Sequence, residues 1–263
     1  MEVKALDCQE FIKSYQGDAW QFHLSSRYTQ VHINHVARAN ALTADMLSDF
    51  SAFLSCVHQN PCSPILLLTS SGSSFCAGLD LKSAVRDYHE RPDSIRDLSF
   101  LVGEVMDKLW TLPVAVHVVV TGHVMGGGCG FLACADKVWV KAGVRIACPE
   151  YALGLLPIQI APYIREKIGE PGMRRFLDPQ KDHTLLDLKT LGLIDEVVPD
   201  LTYEWMLESE KYEDVTIQAQ NVTKRLLRTP IVEKRFINQS AKAFANAWAL
   251  ASNAGRLDRF RTG

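Results

Sequence analysis

Residues 114–135 read VAVHVVVTGHVMGGGCGFLACA. The first seven, Val114 to Val120, are apolar except for His117. Such a run suits a strand buried on both faces of a sheet. Gly126, Gly127 and Gly128 then carry the chain, without side chains, into a short apolar helix, CGFLACA. Strand, glycine turn and helix in succession point to an α/β architecture. A helix start also leaves main-chain N–H groups unpaired and partially positive, so the turn is a candidate for holding negative charge. Taken alone, the glycines need mean no more than a tight turn.

The pattern extends outward on both sides. Residues 18–35, DAWQFHLSSRYTQVHINH, alternate apolar and polar around a short turn and predict a β-hairpin. Thr43 is placed to cap a helix running to about His58, with Met46, Leu47, Phe50, Phe53, Leu54 and Val57 on one face. ILLLT (65–69) is a short buried strand. Residues 83–94 are polar and read as a mobile segment, followed by a helix from Ile95 to Trp110. KVWVK (137–141) is a strand, and beyond Pro157 the pattern turns helical, ending in a long helix over about 230–252. The expected organisation is a core over 1–200 and a helical region over 201–263.

Composition bounds the function. The chain has 263 residues, 47% of them apolar, and a formal net charge of -2. That suits a sizeable core and argues against disorder. Charges of both signs are interspersed without a basic block, so no nucleic-acid partner is expected. The seven cysteines are odd in number and lie mostly in apolar runs. They read as free thiols of a reducing compartment, without metal-ligand spacing. No run of about 18 apolar residues occurs, so no membrane span is expected. The start, MEVKALDCQEFIKSY, lacks the apolar core of a secretory signal. The expected location is the cytoplasm.

Two further segments carry chemistry. In FCAGLDLK (75–82) a strand ends, the chain turns through Gly78, and an N–H is left facing outward. Two such donors converging on one point would hold a developing oxyanion, an effect worth about 3–4 kcal/mol per donor. In ACPEYALGLLP (147–157), Glu150 stands between apolar neighbours and a glycine turn. An apolar pocket raises a carboxyl's pKa and suits it to acid/base work. On spacing alone, a capping or salt-bridged glutamate is the commoner outcome.

Together these segments resemble the enoyl-CoA hydratase/isomerase (crotonase) superfamily. NHVARANAL (34–42) is similar to its N-R-P-x-x-x-N-A-L, with Val36 in place of proline, and FCAGLDLK to its F-x-A-G-x-D-L. The glycine run, CPEYALGLLP and LGLIDEVVP (191–199) follow in the same order. The resemblance implies a crotonase-like ββα spiral with a helical C-terminal region, assembled as a homotrimer or hexamer. It implies a thioester substrate, acyl-CoA or acyl-ACP, carried on CoA or phosphopantetheine, and no cofactor besides. It implies an oxyanion hole from the N–H groups of Leu79 and Gly127, with Glu150 as acid/base. Arg38, Ala77 and Lys82 fall where family members touch the CoA nucleotide. His123 is a candidate for the acyl pocket wall, and a structural histidine is an equal reading of it. His117 reads as a hydrogen-bonded core residue. Arg86, Tyr88 and His89 border the pocket in this reading, where one would pair with a distal substrate carboxylate. Arg256, Arg259 and Arg261 are a solvated helix end or a phosphate contact.

The family's best-known hydratases hold one water between two glutamates. The first falls at Gly130, and the second matches Glu150. Glycine carries no proton, so the two-carboxylate route does not transfer. GGGCGF with PEYALGLLPIQIAPYIREKIG resembles a branch that includes 3-methylglutaconyl-CoA hydratases and polyketide β-branching dehydratases, which also have glycine there. Hydration or dehydration of a β-branched enoyl thioester is therefore the leading expectation. Δ3,Δ2-enoyl isomerisation, thioester hydrolysis or decarboxylation, and non-catalytic binding of acyl carriers remain alternatives.

Overall fold

The computed structural model describes residues 7–201 and 214–261. The opening MEVKAL, residues 202–213 at the start of the expected C-terminal region, and 262–263 lie outside the described residues.

The chain opens with helix α1 (Cys8–Ser14) and the predicted hairpin, β1 (Trp20–Leu24) antiparallel to β2 (Thr29–Ile33). Helix α2 (Ala44–Gln59) starts at Thr43, whose side chain accepts from the Met46 N–H as expected. From there the chain winds as a spiral. Strands β3 (Ile65–Ser70), β5 (Ala115–Val120), β7 (Lys137–Lys141) and β9 (Glu196–Val198) join the hairpin in a six-stranded sheet ordered β1-β2-β3-β5-β7-β9. From β2 onward all pairings are parallel, which requires each connection to cross over. β5 is buried at every residue, as its apolar run predicts. His117 lies edge-on to Trp139, with ring centroids 5.4 Å apart, and burial lowers its pKa to about 4.

Each crossover also leaves a second, shorter strand. β4 (Ser74–Cys76), β6 (His123–Met125) and β8 (Ile146–Ala147) form a separate parallel sheet ordered β4-β6-β8. These strands are too short to carry a periodic signal and do not emerge from the sequence.

Helices complete the layers. α3 (Leu81–Glu90) occupies the segment read as mobile. Asp80 caps it by accepting from the Ser83 N–H, and Leu81, Ala84, Val85 and Tyr88 form the buried or half-buried stripe that holds it down. α4 (Ser94–Trp110) follows as predicted, then α5 (Gly128–Cys134) from the glycine run and α6 (Glu150–Leu153). α7 (Ala161–Phe176) is broken at Gly169, with φ 72°, ahead of Pro171, within the region beyond Pro157 expected to be helical. α8 (Leu185–Leu191), α9 (Asp214–Leu227) and α10 (Lys234–Asn253) follow, and α10 packs along α4. α9 is fastened by Lys224, which reaches Asp136 at 2.6 Å and the Val114 carbonyl at 2.7 Å. All seven cysteines are unpaired.

Asn40 ties the hairpin layer to the short sheet. It is wholly buried, in the left-handed region with φ 57°. Its Nδ2 donates to the Ser71 and Ser74 carbonyls at 2.8 and 2.7 Å, and its Oδ1 accepts from the His35 N–H at 2.8 Å. Asn40→Ala strands these three groups and is expected to lower stability by about 2–4 kcal/mol, measured by urea unfolding.

Candidate active site

The short sheet positions the site. Because β4, β6 and β8 are parallel neighbours, their C-terminal ends lie along one edge. Ligands of parallel sheets gather outside such edges. Leu79 follows β4, Gly127 follows β6 and Glu150 follows β8. The three segments selected from the sequence therefore arrive side by side, and all line one cleft.

The local hydrogen bonds orient each group. Leu42 donates its N–H to the Gly78 carbonyl at 2.7 Å and accepts from the Asp80 N–H at 2.9 Å. Successive peptide groups of an extended segment point to opposite sides. With Leu42 holding Gly78 and Asp80, the Leu79 N–H is turned away from Leu42, and it bonds to no described residue. Gly78 has φ 83°, and a Cβ there would approach the Met125 carbonyl oxygen to 3.0 Å and the Gly127 nitrogen to 3.4 Å. Glycine is thus required both for the turn and for the close approach of the two loops. Gly127 precedes the first residue of α5, and its N–H is also uncommitted.

Glu150 is half-buried at the start of α6, and its carboxyl lies over the glycine turn: Oε1 would be 2.8 Å from a Cβ on Gly126. The Cys148 thiol donates to Oε2 at 3.0 Å. Burial raises the Glu150 pKa; the thiol and the local backbone oppose that shift without cancelling it. Burial and the nearby carboxylate also push the Cys148 and Cys129 thiols well above their usual range. Arg256, beyond α10, donates to the Ala152 carbonyl at 3.3 Å and so braces α6 rather than standing free.

Gly130 is more than an absent acid. It is buried in α5, and a Cβ there would lie 2.5 Å from Met106 Sδ and 2.7 Å from Ile160 Cγ2. The space that a side chain would need is already filled by apolar atoms.

The other predicted residues divide. Ala77 lines the cleft. Arg38 does not; it pairs with the buried Asp80 at 2.8 Å and bonds Ser83. Lys82 lies with Arg86, His89 and Arg261 around a separate pocket. Arg86 therefore does not border the cleft as expected. Tyr88 packs on Trp248 instead. His123 is not in the cleft wall: strand alternation buries Val124 and leaves His123 exposed, where its Nδ1 accepts from the Arg145 N–H at 3.0 Å. Arg259 stacks on Phe260 at 4.9 Å. Sequence reading missed Ser99 and Gln159, which line the cleft between α4 and α10. The available signal was a polar residue on an apolar helix face, Ser99 alongside Ile95, Val102 and Met106, and a glutamine enclosed in the apolar run PIQIAP.

The enoyl-CoA hydratase/isomerase family model matches residues 25–247, most of the chain. The chain belongs to the enoyl-CoA hydratase/isomerase family. Among its relatives is YngF of Bacillus subtilis strain 168, provisionally named an enoyl-CoA hydratase/isomerase. YngF is 27% identical, and the match covers 69% of this chain and 70% of that protein. Similar solved structures include an enoyl-CoA hydratase from Bacillus halodurans, at TM-score 0.80 and 17% identity over 92% of this chain and all of that one. Pseudomonas aeruginosa AtuE is similar at TM-score 0.73 and 23% identity, over 88% and 92%. At these identities the structural likeness speaks for the crotonase-like fold alone. In a family member of this kind, the charge of Glu150 is expected to weigh on stability. Its folded pKa lies above the unfolded value, so the stability contributed by this one group is fully present below the ordinary carboxylate pKa and is lost as pH rises through the raised one. Glu150→Gln should therefore melt higher than wild type at pH 7, with the gap closing toward acid, as read by calorimetry across pH. Gly130→Ala should cost about 1–3 kcal/mol by overpacking, and Met106→Ala should relieve part of that cost in a double-mutant cycle.

Proposed function

We propose that the chain is a hydratase/dehydratase acting on a β-branched enoyl thioester, with Glu150 as its single acid/base. Membership of the enoyl-CoA hydratase/isomerase family supports hydration or isomerisation of enoyl-CoA. The observation that carries the reading is the meeting, at one sheet edge, of two unspent main-chain N–H groups and one desolvated carboxyl.

In this reading the thioester carbonyl oxygen accepts from the Leu79 and Gly127 N–H groups. The Glu150 carboxylate takes a proton from water as the water oxygen adds to C3. The carbonyl oxygen gains negative charge as the enolate forms, and both amides stabilise it. Protonated Glu150 then returns its proton to C2. The sum is addition of one water, and the reverse sequence removes it. A carboxyl with a raised pKa suits both halves of this exchange near neutral pH. The apolar wall around Gly130 supplies no second acid, and a branched C3 compensates, because a tertiary carbon supports positive character as its C–O bond breaks. A 3-methylglutaconyl chain would bring a distal carboxylate, for which the described lining residues offer no cation. A β-branched acyl group with a neutral tail fits better.

One observation favours a second reading, Δ3,Δ2-enoyl isomerisation. It needs one base and no bound water, and the apolar Met106–Ile160 wall is compatible with that. Incubation with 3-methyl-2-enoyl-CoA thioesters and with trans-3-enoyl-CoA, followed by mass spectrometry, separates the two. Hydration adds about 18 mass units, and isomerisation leaves the mass unchanged. The expected result is the mass gain on a branched substrate, with kcat falling by about 10²–10⁴ in Glu150→Gln and the wild-type pH profile rising through a pKa above the usual carboxylate range. Full turnover by Glu150→Gln would overturn the assignment.

A further inference from the structure

The cleft contains one polar pair besides the groups already assigned. Ser99 on α4 and Gln159, in the turn before α7, are 2% and 6% exposed, and both line the cavity. Gln159 Nε2 donates to Ser99 Oγ at 3.3 Å and to the Ile237 carbonyl, on α10, at 3.2 Å. Both amide hydrogens are thereby used. The Ile237 carbonyl can only accept, which fixes which end of the amide is nitrogen. Gly103, one turn beyond Ser99, makes the room: a Cβ there would overlap Gln159 Oε1 and approach Ile237 Cγ2 to 2.7 Å.

Two capacities remain unspent. Gln159 Oε1 accepts from no described residue, and the Ser99 hydroxyl hydrogen has no described acceptor. The amide oxygen is not among the fully enclosed unpartnered atoms, and Gln159 is a lining residue of the cavity. A half-used donor and acceptor in an apolar cavity cost free energy unless something in that cavity completes them. The complement must donate and accept within one small group. An alcohol hydroxyl does both from a single oxygen. A carboxylate does not: it cannot donate, it would face the Gln159 oxygen, and the described lining residues hold no cation for it.

We infer that Ser99 and Gln159 form a subsite for a hydroxyl group on the acyl tail, the tail hydroxyl donating to Gln159 Oε1 and accepting from the Ser99 O–H. The inference rests on the reading of this cleft as an acyl-thioester site and narrows its substrate to hydroxylated chains. A water molecule would complete the pair when the tail lacks the hydroxyl.

Binding is best measured apart from turnover. The probes are saturated 3-methylacyl-CoA thioesters of matched length, with and without a terminal hydroxyl, tested over three successive chain lengths by titration calorimetry. At one length the hydroxylated probe should bind tenfold or more tightly than its plain counterpart, and Ser99→Ala and Gln159→Met should each bring that ratio close to one. Gln159→Met also loses the bond to Ile237 and can unseat α10. Ser99→Ala leaves that bond in place and carries the test alone. Equal affinity of the wild-type protein for both probes at every length overturns the subsite, as does a preference that survives Ser99→Ala. Preference without any hydration or isomerisation of the matching enoyl thioesters overturns the assigned reaction and leaves the subsite standing. Turnover without preference does the reverse, and failure of every CoA thioester to bind overturns both.

Discussion

The hydrogen-bond pairing of three very short parallel strands is the constraint on which the rest depends. The His123 N–H donates to the Ser73 carbonyl, and the Val124 and Gly126 N–H groups donate to the Arg145 and Ala147 carbonyls, each at 2.9 Å. These bonds set the relative register of β4, β6 and β8, and that register decides where the next residues of each strand emerge. A slip of one residue would reverse which side each peptide faces. The amide of Leu79, the amide of Gly127 and the carboxyl of Glu150 would then no longer share a cleft. The bridge between Leu42 and Leu79 adds a second lock, because it occupies the peptide groups on either side of Leu79 and leaves that one N–H aimed elsewhere.

The site is built at a cost to stability. Glu150 is withdrawn from water, with one thiol as its side-chain hydrogen-bond donor. That arrangement disfavours the charged form and raises the carboxyl's pKa. Two other buried or half-buried carboxyls are paired with cations: Asp136 is met by both Lys224 and Arg228, and Asp80 by Arg38. Gly130 shows the same economy of space, since the position that would otherwise extend an acid toward the cleft is sealed by Met106 and Ile160.

The C-terminal helices take part in the site rather than merely covering the spiral. Phe244 of α10 lines the cleft, Ile237 holds the Gln159 amide, and Arg256 braces the turn of helix that bears Glu150. The part of the cleft around Ser99, Gln159 and Phe244 is therefore shaped by the packing of α10 on α4, and the part around Leu79, Gly127 and Glu150 by the short sheet.

What the sequence determined by itself was whatever rests on local pattern. The hairpin, the Thr43 cap, the apolar strands and the amphipathic α4 follow from periodicity and capping, and the structure bears them out. The motif segments around Gly78, Gly127 and Glu150 were legible because glycine turns and an isolated acid stand out against apolar neighbours. α3 was legible in principle, since Asp80 and the stripe of Leu81, Ala84, Val85 and Tyr88 mark a capped helix, but its many charges masked it. Tertiary structure alone decided the rest. Strands of two or three residues have no period to detect, and they exist because long-range partners hold them. Whether His123, Arg86 or Ser99 faces the cleft depends on where strands and helices are docked, and a sequence does not contain that orientation until distant segments have packed.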